Sequence, residues 1–582
     1  MPSRSRHKLH AQVRRSHLFA LLTLSLSLFT ASPLLAIWEG SEYADLFANA
    51  PEPRPASPAT AISSAADDTD AQHQGGEKPQ YSYTTSEPAT TLHPTVSPLD
   101  AVSMRNQSIR RSIEKYRPAS RQENLKQIYK VNRYKNLWSR KGRLNGDARA
   151  VMQMLADAAA HGLNPADYHV DEIRRAQQRG DMTLFDLLLT DNALRYVSHL
   201  RDGQFSKEKV DPQWEIRTDS RPDLTEGLAQ AIKRKDAPRY MKLAAPRHPI
   251  YRDLQRHLSA YNAIAASGGW PSFPVRGGTL SPGASGSEVQ ALRARLAATD
   301  GADQYVAQPS RFDNDLKLAL QRFQRRHGLN DDGVVGGRTR QALAVPVSKR
   351  IQQLAMAMER WRWMPQNIGR EAIIVIVPAF RLWYWKNGVD QLTMRIIVGQ
   401  AKKDWQTPTF TKELEYMVLN PNWNVPNSIV SEEMAPKASQ NPGYFQEKGY
   451  RIIDDAGNTV DPASVNWAQY GKDNPVPYRV IQARGGDGAL GLVKFIFPNH
   501  YGVALHDTQS RDLFNEEFRA FSHGCIRVEK PLELGAALLG QRTPQHFSAL
   551  VEESAHDHVI TLDQNPPVFF VCMTAWPGHH EV

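Results

Sequence analysis

The chain has 582 residues, enough for roughly four domains and too many for one core. Hydrophobic residues make up 41% and charged residues 23%, which excludes a wholly disordered chain and a polytopic membrane protein. A net charge of +10 is too modest to identify a nucleic-acid binder, and two cysteines, Cys525 and Cys572, exclude a disulfide scaffold or a cysteine-rich metal centre.

Arg4, Arg6, Lys8, Arg14 and Arg15 precede the apolar run Leu18 to Phe29 and the stretch Ala31-Ser-Pro-Leu-Leu-Ala36. A positive start, an apolar middle and a small residue at a cleavage point read as a secretory signal over 1–36, cut after Ala36. The alternative is an uncleaved anchor over 18–38, weakened by Thr23, Pro33 and several serines. Either way the rest of the chain is placed outside the cytoplasm, in the periplasm. Residues 37–104, rich in Pro, Ser and Thr, offer little apolar surface to offset ordering entropy and read as a flexible linker.

Residues 105–270 are helix-like. Met152, Leu155 and Ala159 recur at helical spacing, as do Leu184, Leu188, Leu194, Val197 and Leu200, with Pro165, Gly203 and Pro212 between helices. Ser112 with Lys115, and Ser206 with Lys209, fit an S-x-x-K spacing that arises by chance, and solvated helix faces are the expectation there. Residues 271–346 hold three short amphipathic helices with glycine turns: Val289, Leu292 and Leu296; Leu316, Leu320 and Phe323; then Ala342 and Leu343. The pattern from Leu280 through Gly283, Gly286, Val289 and Leu292, with Phe323-Gln324, Gly328-Leu329, Asp332-Gly333 and Gly336-x-x-Thr339, resembles the peptidoglycan-binding domain of cell-wall enzymes.

After Glu371 the period changes. Ile373 to Val377 is a continuous apolar run, a buried strand. Leu382 to Trp385 and Leu392 to Val398 flank Asn387-Gly388, a hairpin signal. Tyr416 to Leu419, Val493 to Phe497, Val503 to Leu505 and Val568 to Thr574 add strands, and a polar, helix-prone insertion over 427–475 makes a cap. The fold class is therefore multi-domain α+β: a helical scaffold, a small three-helix module, and a mostly β domain over 347–582 with an inserted helical cap.

The chemistry concentrates at His506-Asp507-Thr508 and Ser522-His523-Gly524-Cys525-Ile526-Arg527. His506 ends a strand-like run. Gly524 permits a tight turn before Cys525, and Ile526 resumes an extended pattern, so Cys525 and Arg527 share a face. An imidazole beside the thiol can accept its proton to make a thiolate–imidazolium pair. His506 is the preferred partner and His523 the competing one. Backbone N–H groups of Gly524 and Cys525 suit an oxyanion hole, and Arg527 suits a carboxylate or carbonyl. Two plainer readings compete. Cys572, among Phe570, Val571 and Met573, fits a small buried hydrophobe, whereas Cys525 does not. Zinc on His506, His523 and Cys525 lacks a clear fourth ligand.

Ser522 to Arg527, with His506 upstream, resembles the signature of L,D-transpeptidases with the YkuD-type catalytic domain. Leu419 to Pro426, Ala489-Leu-Gly491, Lys494-Phe495 and Phe497-Pro-Asn499 extend the likeness, and the order of domains resembles the large, multi-domain YcbB-like branch. Arg527 stands where many members have Asn, and Gly485-Gly-Asp-Gly488 also departs from the family pattern. The resemblance implies catalysis by Cys525 and His506, with His523 and Gly524 in the site. It implies substrate contacts from Ser522, Arg527, Asn422, Trp423, Lys494, Phe497 and Tyr501. It further implies attack on the meso-diaminopimelate carbonyl of a tetrapeptide stem, loss of D-alanine, a thioester, and transfer to a diaminopimelate amine in a 3–3 cross-link. Water in place of the amine gives an L,D-carboxypeptidase. Carbapenems are expected to acylate the same sulfur, no metal or organic cofactor is implied, and the partners are peptidoglycan stems and other wall synthases or hydrolases. A catalytically silent wall-binding scaffold is the alternative. A papain-like protease fits less well, because there the cysteine precedes the histidine.

Overall fold

Helical and extended patterns each find their place in the computed structural model, which describes residues 35–37 and 109–577 except 219, 403–404, 484–487 and 542. Apart from 35–37, the signal and linker readings lie outside the described residues, as does most of the Gly485 to Gly488 run. Leu35–Ile37 pairs antiparallel with Ala575–Pro577, across the expected cleavage point. Among the described residues no helix is long and apolar enough to cross a membrane.

The scaffold is built around helix Met182–Asp202, which is buried on nearly every side between Leu184 and Val197. Asp186 and Thr190 show how most of its buried polar groups are satisfied, although among the described residues Asn192 Oδ1 and Arg195 Nε have no hydrogen-bond partner. Asp186 accepts the Leu137 and Trp138 N–H groups and the Tyr129 hydroxyl (2.7 Å), while Thr190 accepts the Trp138 indole (2.8 Å). Ser112 corrects the expectation of a solvated face. Its side chain is fully buried and its hydroxyl has no partner among the described residues, whereas Lys115, Ser206 and Lys209 are exposed as expected. The helix turns the Ser112 face into the scaffold core with Ile109 and Ile113.

Helices Pro249–Ala266 and Val347–Trp363 lie against each other. Leu254, Leu258, Leu354, Met358 and Trp361 share one core with Ala372, Ile374, Ile376, Trp383 and Trp576 of the β domain. Each large side chain buried at that seam contributes about 1.5–3 kcal/mol, so scaffold and β domain form one continuous body. The three-helix module has a separate core of Val289, Leu292, Leu296, Leu316, Leu320, Phe323 and Leu343.

The β domain is an 11-stranded sheet. From one edge the order is His558–Thr561, Tyr416–Leu419, Val493–Ile496, Leu505–His506, Ile526–Val528, Val389–Gly399, Arg381–Lys386, Glu371–Ile376, Pro567–Val571 and Thr411–Glu413, with Ala520–Ser522 also on Val389–Gly399. Glu371–Ile376 reads as a continuous apolar run because both faces are covered: Ile374 and Ile376 meet the scaffold, Ile373 and Val375 the inner core. Asn387 and Gly388, at φ of 52° and 86°, make the hairpin turn. The insertion carries the expected helices and, in addition, a four-stranded antiparallel sheet of Thr459–Val460, Tyr450–Ile453, Arg479–Gln482 and Trp423–Asn424. It is a small subdomain with its own core, including Met434, Phe445, Ile452, Trp467 and Val480.

Candidate active site

Three neighbouring strands set the site by register. Lys494 pairs with His506 and His506 with Arg527, so these three residues form a row across the sheet. The next row, Phe495, Leu505 and Ile526, is buried in the inner core. Side chains alternate along a strand, so Lys494, His506 and Arg527 face the other way, and Cys525, two residues before Arg527, faces with them. The sulfur and the two cations that flank His506 thus lie on one face of the sheet.

The His506 ring is buried at 6% exposure, and its Nδ1 lies 2.5 Å from the Asp507 carbonyl. A carbonyl only accepts, so Nδ1 carries the proton and Nε2 is the lone-pair nitrogen. Burial, then the Arg527 charge, lowers the imidazole to about 3 against a weaker raising by the Asp507 bond. Burial pushes the Cys525 thiol up, opposed by the Ala504 N–H and the Lys494 and Arg527 charges. Desolvation works against both charged forms of the expected thiolate–imidazolium pair, and the two cations oppose a third positive charge on the ring. Sγ itself lies 3.6 Å from the Gly502 carbonyl.

The loop before Cys525 is tied by its own polar groups. The buried Ser522 hydroxyl donates to the Cys525 carbonyl (2.5 Å) and accepts the Gly524 N–H (3.1 Å). Gly524, at φ 116°, adopts a conformation that disfavours any Cβ. Its N–H is thus occupied by Ser522, while among the described residues the Cys525 N–H has no partner. Thr407 clamps the loop from outside, donating to the Gly524 carbonyl (2.9 Å) and accepting the Gly399 N–H (3.0 Å).

His523 turns away from the sulfur's row toward the cap. Its Nε2 meets Glu433 Oε1 on the π-helical turn Val430–Met434, and its ring lies 4.0 Å from that of Trp405. The bond to His523 holds the Glu433 carboxyl below its ordinary value. Lys402 covers the same Trp405 ring at 3.7 Å.

The remaining expected contacts fall in different places. The Arg527 Nε is buried with no hydrogen-bond partner, and neither Arg527 nor Lys494 is paired among the described residues. Trp423 packs on the cap core, 6.3 Å from Tyr450, and Asn422 donates through its backbone and side chain to Asp557 (2.8 and 2.5 Å). Tyr501 precedes Gly502 and packs at a tilt against Phe410 (5.1 Å); burial and a hydrogen bond with Glu215 of the scaffold raise its hydroxyl to about 12. Phe497 is set apart from the other substrate candidates: at 1% exposure it packs with Phe410 and Phe570 in the core and offers no surface to a ligand. Cys572, just after strand Pro567–Val571, is partly buried, with its thiol pushed up by burial. Among the described residues no group of three or more His, Cys, Asp or Glu is placed to hold a metal ion.

Thr407, Trp405 and Glu433 join the site without having been singled out in the sequence, and Asp507 was named there beside His506 with no role of its own. Asp507 adjoins His506 and was the most accessible of them. The others lie 92 to 120 residues from Cys525 or on the cap, where no local spacing signals them.

Comparison with known families gives the arrangement its class. Residues 370–543 match the L,D-transpeptidase catalytic domain, residues 285–343 a "Putative peptidoglycan binding domain", and residues 123–258 a scaffold domain. The chain therefore carries an L,D-transpeptidase catalytic domain joined to a peptidoglycan-binding domain and a helical scaffold. It is 39% identical over 238 residues to a "Putative L,D-transpeptidase" of Haemophilus influenzae, covering 40% of this chain and 47% of that protein, so it spans about half of the relative's length. A 62-residue stretch, 11% of this chain and 24% of the other, is 42% identical to the zinc D-Ala-D-Ala carboxypeptidase of Streptomyces albus G. Among solved structures, the L,D-transpeptidase of Xylanimonas cellulosilytica aligns at 15% identity and TM-score 0.18, covering 51% of this chain and 100% of that one. An Enterococcus faecium L,D-transpeptidase variant aligns at 14% and 0.16, covering 39% and 65%.

Proposed function

We propose that this chain is a peptidoglycan L,D-transpeptidase acting outside the cytoplasm, with Cys525 as nucleophile and His506 as general base. The observation that supports it best is the grouping on one sheet face of a thiol, an imidazole with Nε2 as its lone-pair nitrogen, and two unpaired cations.

In this reading Sγ attacks the meso-diaminopimelate carbonyl of a tetrapeptide stem as the thiol proton passes to His506 Nε2. Lys494 and Arg527 favour the developing thiolate, and the Cys525 N–H is a donor for the tetrahedral oxyanion. When the intermediate collapses, the amide C–N bond breaks and the imidazolium returns its proton to the departing D-alanine. A thioester remains on the sulfur. The side-chain amine of diaminopimelate on a second stem attacks it, forming the 3–3 amide and restoring the thiol. The Arg527 guanidinium, without a partner of its own, suits a stem carboxylate through forked hydrogen bonds. The cap, bonded to the catalytic loop through His523 and Glu433, shelters the thioester from water, whose attack would give carboxypeptidase activity instead.

Incubation with disaccharide-tetrapeptide followed by muropeptide analysis tests the reaction. Cross-linked dimers are expected, and meropenem is expected to add covalently to the Cys525 peptide. A fully active Cys525→Ala variant, or adhesion to sacculi with an unchanged muropeptide profile, would refute the reading.

A further inference from the structure

The peptidoglycan-binding domain is gripped at two ends. Toward the scaffold, Arg326 donates to the Tyr261 hydroxyl (2.9 Å), and the Trp270 indole N–H donates to the Val345 carbonyl (3.0 Å) across the base of the domain. Toward the catalytic domain, one carboxylate receives two donors. The Asn330 backbone N–H reaches Glu517 Oε1 (2.7 Å), and Arg338 Nη1 reaches Glu517 Oε2 (2.9 Å).

The surface presented to Glu517 is rigid. Buried Gln324 donates to Asp332 Oδ1 (2.8 Å) and the Val334 carbonyl (2.9 Å) and accepts the Gly333 N–H (2.9 Å), which fixes the turn that carries Asn330. Glu517 is only 20% exposed and lies between the short helix Arg511–Asn515 and strand Ala520–Ser522, which leads directly to Cys525. Domains with separate cores move relative to each other by default unless contacts restrain them. Here a charge-assisted pair of bonds, specific in direction, supplies the restraint on the catalytic side.

We infer that Glu517 is a positioning residue for polymeric substrate. It holds the peptidoglycan-binding domain in one orientation against the catalytic domain, so that a wall strand bound by the first presents its stems to the thiol of the second. The inference rests on the proposed wall-directed activity. It adds that the advantage of tethering depends on geometry, because effective concentration falls when the linked sites lose their matched spacing. Glu517 touches no reacting atom, so a short soluble stem that never engages the binding domain should be indifferent to it.

The full chain and its Glu517→Ala, Glu517→Gln, Arg338→Ala and Glu517→Ala/Arg338→Ala forms are compared on soluble disaccharide-tetrapeptide and on intact sacculi. In Glu517→Ala and Arg338→Ala, sacculus cross-linking is expected to fall about tenfold, less than the roughly 10²–10⁴-fold span of tethering effects because the scaffold end still holds the domain. Soluble turnover should stay within about twofold of the unmodified chain, because no interaction with the reacting stem is removed. Glu517→Gln, which keeps an acceptor for Asn330, should recover part of the loss, and the double variant should be no worse than either single. Equal losses on both substrates, or none on either, would overturn the inference. An unmodified chain inactive on the soluble fragment would instead sink the proposed function, and the inference with it.

Discussion

Gly491 and the Asp507 carboxylate fit together with no room for a methyl group: a Cβ on Gly491 would overlap Asp507 Oδ2. That carboxylate collects the Leu492 N–H (2.9 Å), the Thr508 N–H (2.7 Å) and Arg511 (2.8 Å), while the carbonyl of the same residue holds His506 Nδ1. Gly491 also sits at φ 60°, which favours glycine. Gly491→Ala is therefore expected to displace Asp507 and loosen the His506 ring. Urea unfolding should show a loss of about 1–3 kcal/mol, and kcat should fall with KM little changed. Unaltered kcat would show that the ring does not depend on this packing.

The two histidines should separate in kinetics. His506→Ala is expected to lower turnover by roughly 10²–10⁴-fold if it moves the proton. His523→Ala breaks the contact with Glu433, and its loss should be smaller and matched by Glu433→Gln. The reverse ranking would transfer the base role to His523.

Because burial raises the thiol, alkylation of Cys525 by iodoacetamide should rise with pH beyond the ordinary thiol range. Lys494 and Arg527 each favour the thiolate, so Lys494→Met or Arg527→Met should move the inflection higher still. Peptide mass spectrometry separates this signal from Cys572. An inflection that moves down on removal of either cation would contradict the charge relationship.

Acid should weaken the fold. Burial lowers His161 and His257 to about 4 and His199 and His506 to about 3, from 6.5. Between those values and 6.5 the unfolded chain binds protons that the folded chain refuses, so this stability is complete above about pH 6.5 and is lost as pH falls toward 3–4. Asp186, raised to about 6, and Asp507, also raised, act in the opposite direction but are fewer. The thermal midpoint should drop steadily as pH is lowered through that window. A flat or rising midpoint would mean the imidazoles take up protons without unfolding.

Much of the site was legible because its residues obey short-range rules. Period-two alternation places Phe495, Leu505 and Ile526 inward and Lys494, His506, Cys525 and Arg527 outward, and the Asn387-Gly388 turn announces its hairpin. The cap sheet was not legible, because Trp423 pairs with Gln482 and Tyr450 with the same residue across long polar connections. The electrostatic shifts at the site were hidden too. They depend on how deeply His506 is covered and on Arg527 arriving from a neighbouring strand, neither of which a motif encodes. Phe497 misled because a family-like Phe-Pro-Asn run says nothing about which face a side chain takes.

Helices Pro249–Ala266 and Val347–Trp363 are consecutive partners in space, yet the whole peptidoglycan-binding domain is threaded between them. The ends of that domain therefore leave and rejoin the body at nearly one place, as in a cassette spliced into a helical hairpin. A descendant could shorten, exchange or discard it without breaking the shared core, so the inserted domain and the body around it are free to evolve at different speeds within one polypeptide.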